Sequence, residues 1–430
     1  MTAQNLPEVS VVIPALNEGG NIEKVITGVR GVLDRLSLSY EIFVIDGGST
    51  DATREKAEAC GAHSILQKRV GYGGALREGM MMARGRFILA LDADCSHPPE
   101  VIEQLWNKRE DAEIIVASRY VPGGTSKAPG FRHYLSLLVN RLFTWLLKVP
   151  LQDISSGFRL CRRSSLQPEK YRSEDFNILQ EILVTAYAGG HRVVEVPFHY
   201  ENRIAGASHV QYGKFVRSYL QTLWQLWQLR NSIESADYDH RAYDSRIPLQ
   251  RYWQRKRYSI IKGYLEGETG ILDIGCGSSR IIQSLPGAVA FDLARHKLRF
   301  IRRSNGLRVL GSTFALPFRD AAFTQLIHSE VIEHVPDTPE LFLEMNRVLR
   351  PGGNLIVGTP DYGRIWWPII EYFYALIVPN AYASEHITHY TRNSLVDRLA
   401  EHGFRVLSYR YICGGELIVK AVKLHDMRPS

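Results

Sequence analysis

The sequence predicts an α/β protein of two domains, and three observations carry that prediction. A chain of 430 residues is long enough for two domains. In the first half, short apolar runs alternate with helical patterns, which is the order of a parallel sheet covered by helices. A second series of this kind begins at ETGILDIGCGSSR, residues 268–280, where a strand, a Gly-rich turn and a helix follow one another.

Composition narrows the class of protein further. The chain is 45% hydrophobic and 23% charged, as globular proteins are and disordered chains are not. Its five cysteines lie far apart without a C-x-x-C pair, which indicates a reducing compartment and no zinc site. We expect no signal peptide and no membrane span. The net charge of +7 permits an anionic partner without choosing among nucleotide, phospholipid and nucleic acid.

The first half can be followed element by element. VSVVIP, residues 9–14, is a β-branched run, and the helix after it has apolar residues at helical spacing. A second strand leads into Asp46 and a Gly-rich turn, and the next helix is capped near Ser49 or Thr50. HSILQKRV and the Gly-rich GYGGALREG come next, before the strand that opens FILALDADCSHPPE.

Acidic residues follow the strands of this half. In parallel sheets, ligands bind beyond the carboxyl ends of the strands, where Asp46, Asp92 and Asp94 all fall. Asp92 and Asp94, one residue apart, leave a strand end on one face and would repel each other without a cation between them. Mg²⁺ or Mn²⁺ would use both carboxylates together with substrate phosphates. The alternative is a solvated acidic turn, with Ser96 or Asp94 capping the next helix.

Several motifs of this half together resemble an inverting family 2 glycosyltransferase, most closely the dolichyl- or polyprenyl-phosphate mannose synthase and glucosyltransferase branch. The resemblance covers about residues 7–232, and its motifs are VVIPALNEGGNI, VIDGGSTDAT, GYGGALREG, DADCSHPPE, SRYVPGG, DISSGFR and EVPFHYENRIAGASH. It implies a GT-A fold, a nucleotide-sugar donor of the GDP-mannose or UDP-glucose type, a divalent metal and a polyprenyl-phosphate acceptor.

The resemblance also implies roles for individual residues. The nucleotide pocket would be lined by Pro14, Asn17, Glu18 and Asp46. The metal would be held by Asp92 and Asp94, with Ser96 standing where the family often has a glutamine. The phosphates of donor and acceptor would be met by Arg119, Arg159 and Arg203. Two departures are Gly47, where the family usually has a second aspartate, and His209, where it has a lysine.

Two helical segments, 131–148 and 213–230, carry apolar stripes flanked by basic residues. Such helices lie on anionic membrane surfaces or cover a core, and the resemblance favours the membrane. We expect peripheral association with the cytoplasmic face of a membrane, and no nucleic acid. The stripes are Leu135, Leu138, Leu142, Trp145 and Leu146 on the first segment, and Phe215, Tyr219, Leu223 and Trp227 on the second; the flanks are Arg132, Arg141, Lys148, Lys214, Arg217 and Arg230.

Apolar periodicity is lost after residue 230, which predicts domains at 1–232 and 251–430 joined by a linker at 233–250. RYWQRKRYSIIKGYL, residues 251–265, is predicted to be helical. A dinucleotide-binding turn would need a third glycine at Arg280, so the Gly-rich turn after Asp273 points elsewhere. Asp292 ends a second strand, at the distance expected for a ribose-binding carboxylate.

The second half resembles a class I S-adenosylmethionine-dependent methyltransferase with a Rossmann-like fold, over about residues 250–425. Its motifs include LDIGCGSSR, FTQLIHSEVIEHV and VLRPGGNLIVGTP. The resemblance places Glu333 and His334 toward the acceptor, with His386 and His389 as further candidates for a base. The cofactor would be bound by Asp273, Gly275, Gly277, Asp292, Thr313 and Glu330, where Thr313 stands near the position of a usual acid.

These resemblances lead to one expectation with alternatives. The chain would transfer a hexose to a polyprenyl phosphate and methylate an acceptor, with the same lipid-linked sugar or its descendant as the expected acceptor. Alternatively, the first half elongates a glycan or glycolipid, or one half only binds its ligand. The sequence does not choose the sugar, the nucleotide or the methylated atom.

Overall fold

A computed structural model describes residues 6–126, 130–201, 212–377 and 386–424. The chain forms two compact units, Met1–Tyr187 with His191–Trp227, and Ala188–Gly190 with Gln228–Ser430. Each unit contains a seven-stranded sheet with helices on its faces, which confirms the predicted α/β class. The predicted linker, 233–250, falls in the second unit and contains helical residues.

The sheet of the first unit has the strand order β3-β2-β1-β4-β7-β5-β8. The first four of these run parallel, and β7 runs antiparallel to both of its neighbours. A separate two-stranded pair joins β6 to β9. The strands are β1 Val9–Ala15, β2 Tyr40–Asp46, β3 His63–Leu66, β4 Phe87–Ala90, β5 Ile114–Ser118, β6 Thr125–Ser126, β7 Arg159–Arg162, β8 Val193–Pro197 and β9 His199–Tyr200.

Helices pack on both faces of this sheet because its strands are apolar on both sides. Every residue of β1 is buried, as in strands covered on both faces. The helical spacing after β1 is confirmed, since Ile22, Val25, Ile26 and Val29 are all buried. The helices are α1 Ile22–Arg35, α2 Thr53–Ala59, α3 Gly71–Met82, α4 Val101–Asn107, α5 Gly130–Leu147, α6 Ile178–Ala188 and α7 Tyr212–Arg230.

The outward faces of α5 and α7 differ in part from the predicted stripes. On α5, Leu138, Leu142 and Trp145 are exposed as predicted. On α7, Tyr219, Leu223 and Trp227 instead pack against the core, and the exposed apolar residues are Val216, Leu220 and Trp224. Both sets repeat every three or four residues, so periodicity alone could not choose the face that meets the core.

Two further features bear on the membrane prediction. Arg230, predicted as a basic flank of α7, is buried and paired with Asp237, its Nη2 lying 2.8 Å from Oδ2. The flank prediction is therefore wrong at this residue. Within the described ranges, no helix has the length and apolar character that crossing a bilayer requires.

The sheet of the second unit has the order β12-β11-β10-β13-β14-β16-β15. Its first five strands are parallel, and β16 is antiparallel to β14 and to β15. In this doubly wound sheet the order of the strands reverses between β10 and β13. Ligands of such folds bind at that point. The strands are β10 Ile271–Ile274, β11 Val289–Asp292, β12 Arg308–Leu310, β13 Phe323–Ser329, β14 Leu349–Pro360, β15 Phe404–Ile412 and β16 Glu416–Lys423.

The helices of the second unit also cover both faces of their sheet. The helix predicted at 251–265 is confirmed, with its apolar positions Trp253, Ile260, Ile261 and Tyr264 buried. The helices are α8 Tyr238–Tyr243, α9 Pro248–Tyr264, α10 Arg280–Gln283, α11 Arg295–Phe300, α12 Pro339–Val348, α13 Trp366–Ile377 and α14 Arg392–Glu401.

Candidate active sites

The acidic residues of the first unit collect at one edge of its sheet. Ala15 lies opposite Asp46 in the β1–β2 register, and β4 pairs with the other side of β1. Asp92 and Asp94 follow β4 directly. Because β2 and β4 run parallel on either side of β1, Asp46 and the segment with Asp92 and Asp94 leave the sheet in the same direction. All three carboxylates therefore lie at one edge of the sheet.

Asp46 organises the turn that follows its own strand. It is fully buried and accepts hydrogen bonds from the backbone N–H groups of Gly48, at 3.1 Å, and Ser49, at 3.0 Å. Asn17 faces the same turn, because its Oδ1 accepts the Thr50 N–H at 2.9 Å. Asn17 has a φ of +55°, a conformation that asparagine tolerates better than most residues. Asp46 and Asn17, which are both predicted to bind the nucleotide, therefore both contact the turn that follows β2.

The other two predicted nucleotide-binding residues flank that loop. Pro14 is buried within β1, opposite Ile45. Glu18 accepts a hydrogen bond from Asn21 Nδ2 at 2.7 Å, and its backbone N–H donates to Thr53 Oγ1 at 2.8 Å. The loop from residue 15 to residue 19 is therefore tied to both α1 and α2, while its contact with a nucleotide stays a prediction.

Asp92 is held by two side chains that the sequence reasoning did not single out. Tyr72 Oη donates to Asp92 Oδ1 at 2.9 Å. The Asp92 backbone N–H donates to His97 Nδ1 at 3.0 Å, and His97 Nε2 lies 3.7 Å from Asp92 Oδ2. Burial lowers the pKa of His97, so the ring is neutral with Nδ1 as an acceptor. His97 belongs to the DADCSHPPE motif, a signal that could have pointed to it.

Asp94 is buried and fixed by the residue predicted to share its metal. Ser96 donates to Asp94 Oδ1 through its backbone N–H, at 3.1 Å, and its hydroxyl, at 2.5 Å. Cys95, between them, has a φ of +62°, which folds the chain sharply at this point. Two carboxylates and a hydroxyl are hard oxygen donors, so the group fits Mg²⁺ or Mn²⁺.

The two described arginines have different surroundings. Arg119 donates two hydrogen bonds to Asp153, from Nε to Oδ2 at 2.7 Å and from Nη2 to Oδ1 at 2.8 Å. Burial raises the pKa of Asp153, but Arg119 outweighs burial and holds it below its usual value. Arg159 is fully buried, and its guanidinium donates to the carbonyl oxygens of Ser156 and Leu179.

Arg119 follows the end of β5, and Arg159 begins the antiparallel strand β7, so both lie at the edge of the sheet that carries the aspartates. Arg159 could reach a phosphate only by giving up its hydrogen bonds to the two carbonyl oxygens. The predicted phosphate contacts of both residues stay predictions. Arg203 and His209 lie outside the described residues.

The Gly-rich turn of the second unit brings Asp273, Gly275 and Gly277 to the end of β10. Gly275 has a φ of +70°, and a Cβ there would lie 2.2 Å from Val331 Cγ2. The Gly277 N–H donates to Asp292 Oδ2 at 2.8 Å, which ties the turn to the end of β11. Only glycine fits at position 275, because the turn packs closely against Val331.

Asp273 is a buried acid without a counter-charge of its own. Within the described residues, its Oδ2 has no hydrogen-bond partner. Burial, with a smaller contribution from Asp292, raises the pKa of Asp273 to about 8. Thr313 resembles it, since its Oγ1 is buried without a partner in the same part of the chain. Buried polar atoms without protein partners are available to a bound ligand.

Asp239 was missed by the sequence reasoning because it lies in the predicted linker. Its Oδ2 accepts from the Ser278 N–H at 3.1 Å and from Lys297 Nζ at 3.2 Å. Burial raises the pKa of Asp239, but Lys297 and the hydrogen bonds outweigh it and lower the pKa below the usual value. Asp239 thus stabilises the Gly-rich turn that precedes α10. Nothing local in YDHRAYD signals this role, since its partners are 39 and 58 residues away.

A buried acidic group lies beyond the end of β13. Arg257 binds both oxygens of Glu416, at 2.6 and 2.7 Å, and lies 2.9 Å from Glu330 Oε2. Glu330 has a φ of +59°. Glu333 is fully buried, and burial raises its pKa to about 8. His334 and His386 lie beside it, with ring centroids 4.9 Å apart. The structure thus brings together Glu330, Glu333 and His334, and adds Arg257 and Glu416.

His389, the remaining candidate base, stacks on the ring of Tyr362 with centroids 4.0 Å apart. Tyr362 Oη also lies 2.6 Å from His386 Nδ1. Burial lowers the pKa of His386 to about 4, with a smaller contribution from the charges of His334 and His389. His386 is therefore neutral near pH 7.

The first unit thus has a sheet edge rich in oxygen ligands, and the second has a sheet edge built on a Gly-rich turn. Comparison with known families gives the same division. Residues 10–168 match the family described as glycosyl transferase family 2, and residues 272–357 match the methyltransferase domain family.

Individual relatives match the first half. A dolichol-phosphate mannosyltransferase of Pyrococcus furiosus is 32% identical over 237 residues, which cover 53% of this chain and 66% of that protein. The polyprenol monophosphomannose synthase of Mycolicibacterium smegmatis is 30% identical over 241 residues, which cover 53% of this chain and 89% of that protein. The chain belongs to glycosyl transferase family 2 through its first half, and its second half is a methyltransferase domain.

Among solved structures, glucosyl-3-phosphoglycerate synthase from Mycobacterium tuberculosis, in complex with Mn²⁺, uridine diphosphate and phosphoglyceric acid, superposes with a TM-score of 0.43. The sequence identity is 22%, and the match covers 51% of this chain and 78% of that one. The family match confirms both resemblances drawn from the motifs.

Proposed function

We propose that the first unit transfers a hexose from a nucleotide sugar, of the GDP-mannose or UDP-glucose type, to a polyprenyl phosphate. The observation that carries this proposal is the braced pair Asp92 and Asp94 at the carboxyl edge of the parallel strands. The names of the relatives, a dolichol-phosphate mannosyltransferase and a polyprenol monophosphomannose synthase, support the acceptor class.

The first site would work by positioning and charge. A phosphate acceptor is already anionic, so its attack needs no strong general base. Asp92, Asp94 and Ser96 would hold Mg²⁺ or Mn²⁺, which neutralises diphosphate charge when bound. Tyr72, His97 and Ser96 restrict the two carboxylates before any ligand arrives, which is the preorganisation that electrostatic stabilisation requires. Arg119, fixed by Asp153, is proposed to meet a phosphate oxygen.

The same proposal includes a membrane surface. Apolar side chains on α5 and α7 face outward, among them Leu220 and Trp224, which are 60% and 56% exposed. Arg141 and Arg217 are exposed on the same two helices. Exposed apolar residues beside basic ones are typical of helices that lie on anionic lipid. Peripheral association would bring the transferase to its lipid acceptor, and the cytoplasmic face stays a prediction.

We infer that the second unit uses S-adenosylmethionine to methylate an acceptor, with the lipid-linked sugar or its descendant as the proposed substrate. Asp273 and Thr313 offer buried oxygens without partners among the described residues, and close packing of Gly275 against Val331 and of Gly277 against Asp239 fixes the Gly-rich turn. These residues, with Asp292 and Glu330, would hold the cofactor, which supplies an electrophilic methyl group when bound. Glu333 and His334 would orient the acceptor and take up a proton if the acceptor is a hydroxyl.

The first activity is tested by a donor screen with extracted membrane lipids, reading the release of nucleoside diphosphate. Asp94→Asn should abolish release and leave S-adenosylmethionine binding, measured by calorimetry, unchanged. Asp111→Asn removes an exposed carboxylate of the same unit, with its side chain 53% exposed, and should change neither. Release retained by Asp94→Asn would overturn the proposal, and release that requires a glycan acceptor would identify elongation instead.

The coupling of the two activities is tested separately. The glycolipid product of the first reaction is supplied with methyl-labelled S-adenosylmethionine, and label is counted in the lipid phase. Label in the lipid supports a shared substrate. An unlabelled lipid phase, with cofactor binding intact, assigns the methyl group to another acceptor.

A further inference from the structure

Three side chains of ligand type meet after β13, outside the Gly-rich turn. Glu333 and His334 belong to the 3₁₀ turn Ile332–His334, and His386 comes from the segment that precedes α14. One possible ligand atom from each residue lies within 4.8 Å of the corresponding atoms of the other two. A single ion between them could therefore be reached by all three residues with small side-chain movements.

Glu333 is the residue that indicates a ligand. Its side chain is fully buried, and neither carboxylate oxygen makes a hydrogen bond of normal geometry to a described residue. Burying an ionisable carboxylate without partners is costly, and such groups in proteins are paired or coordinate metals. The two unpartnered oxygens of Glu333 therefore call for an explanation.

The nearby Arg257 does not provide Glu333 with an ion pair. Arg257 makes its ion pairs with Glu416 and Glu330, at 2.6 and 2.9 Å. Arg257 thus pairs with two other carboxylates, and the described residues give Glu333 no ion pair of its own. A divalent cation would supply the positive charge that an ionised Glu333 lacks.

His386 is held as a ligating histidine would be. Tyr362 Oη lies 2.6 Å from His386 Nδ1, and Glu371 Oε1 lies 3.7 Å from the same nitrogen. Contacts of this kind to the second ring nitrogen fix the orientation of histidines at metal sites. The ring of His334 lies at 59° to that of His386, so the two imidazoles do not stack on each other.

We propose that Glu333, His334 and His386 bind a divalent first-row transition-metal ion, with Zn²⁺ as the representative ion. Two imidazoles and one carboxylate suit Zn²⁺ and its neighbours, whereas Mg²⁺ prefers oxygen ligands throughout. Dispersed cysteines led the sequence analysis to expect no zinc site, but this cluster contains no cysteine.

Three protein ligands leave a coordination position for water or for an acceptor oxygen. With a hydroxyl acceptor there, the ion would replace Glu333 and His334 in promoting loss of the hydroxyl proton, which would leave to solvent; the oxygen–methyl bond would form and the sulfur–methyl bond of the sulfonium would break. The use of the ion rests on the proposed methyl transfer, but its binding does not.

The experiment measures metal binding by the full chain without S-adenosylmethionine. The Asp94→Asn variant serves as the parent protein, so that an ion in the first unit does not contribute. After removal of metals with a chelator, Zn²⁺ binding is measured by equilibrium dialysis with a large excess of Mg²⁺. Co²⁺ is added in parallel, because nitrogen ligands in a low-coordinate site give it strong visible absorption bands.

We expect one tightly bound Zn²⁺ and visible Co²⁺ bands in the parent protein. Glu333→Gln and His386→Asn should each weaken Zn²⁺ binding by at least about 100-fold, beyond what second-shell changes usually cost. His389→Gln, which removes a neighbouring imidazole outside the cluster, should bind Zn²⁺ as the parent does. Circular dichroism of each variant checks that the fold is kept, and Glu333→Gln preserves the shape of the side chain.

The proposal is overturned if the parent binds no more Zn²⁺ than Glu333→Gln, or if His389→Gln loses as much as His386→Asn. S-adenosylmethionine binding is measured on the same samples by calorimetry. Cofactor binding without Zn²⁺ binding would reject the metal site alone, and Zn²⁺ binding without cofactor binding would reject the proposed methyl transfer alone.

Discussion

Asp273 gives a prediction in which stability and binding change in opposite directions. In the unfolded chain this carboxyl ionises near pH 3.8, whereas in the folded chain burial raises its pKa to about 8. Between these values the folded state keeps a proton that the unfolded state has lost, so stability falls as the pH rises. At pH 7 this costs about 4 kcal/mol, from 1.36 kcal/mol for each pH unit above 3.8.

Asp273→Asn removes the ionisable group while keeping the shape of the side chain. The variant should therefore be more stable than the parent by about 4 kcal/mol at pH 7 and by about 2 kcal/mol at pH 5. It should also bind S-adenosylmethionine much more weakly, because the proposed cofactor contact is lost. Hydrogen exchange of peptides from β10 and β13 at increasing urea concentrations reports the unfolding of this unit alone.

Asp239→Asn is the control, since Asp239 is an acid of the same unit, with its side chain 20% exposed, whose pKa is shifted in the opposite direction. Removing its charge leaves Lys297 without its partner and should destabilise the unit by about 3 kcal/mol. The reasoning about Asp273 would be refuted if its substitution gave no larger gain at pH 7 than at pH 5. Undiminished cofactor binding would refute the assigned role.

Three further predictions concern the first unit. Gly157→Ala should strongly lower sugar transfer in the nucleoside diphosphate assay, because a Cβ there would lie 2.8 Å from Tyr72 Oη and 3.0 Å from Asp92 Oδ1. Gly31→Ala, which has open space around its Cβ, should keep the activity. Asp153→Asn should reduce kcat and destabilise the unit by about 3 kcal/mol in urea unfolding, because Arg119 loses its charged partner, and an unchanged kcat would contradict the positioning of Arg119. Replacing Leu220 and Trp224 by serine should reduce sedimentation with anionic vesicles while transfer to a short, water-soluble acceptor persists; equal sedimentation would reject the membrane surface.

The sequence predicted features that depend on local pattern. The apolar spacing of α1 and the acids at the ends of β2 and β4 follow from periodicity and from the rule that ligands meet the carboxyl edge of a sheet. Gly275 could also be anticipated, because a tight turn between a strand and a helix calls for glycine.

Other features depend on contacts that no local pattern records. Arg159 was assigned to phosphate by its motif, but its charge says nothing about the carbonyl groups of Ser156 and Leu179 that surround it. The core-facing side of α7 was misjudged because two apolar stripes had similar spacing. Glu416 pairs with Arg257 from 159 residues away, a distance at which sequence reasoning has no signal.

The position of Asp239 gives the segment predicted as a linker, residues 233–250, a structural role in the second unit. A spacer can be shortened, lengthened or cut with little effect, but α8 supplies a carboxylate that accepts a hydrogen bond from the Gly-rich turn. A fragment that begins at residue 251 would keep every methyltransferase motif and still lack that support. The second half therefore needs residues upstream of its recognisable sequence, and we expect insertions near α8 to weaken the proposed cofactor binding first.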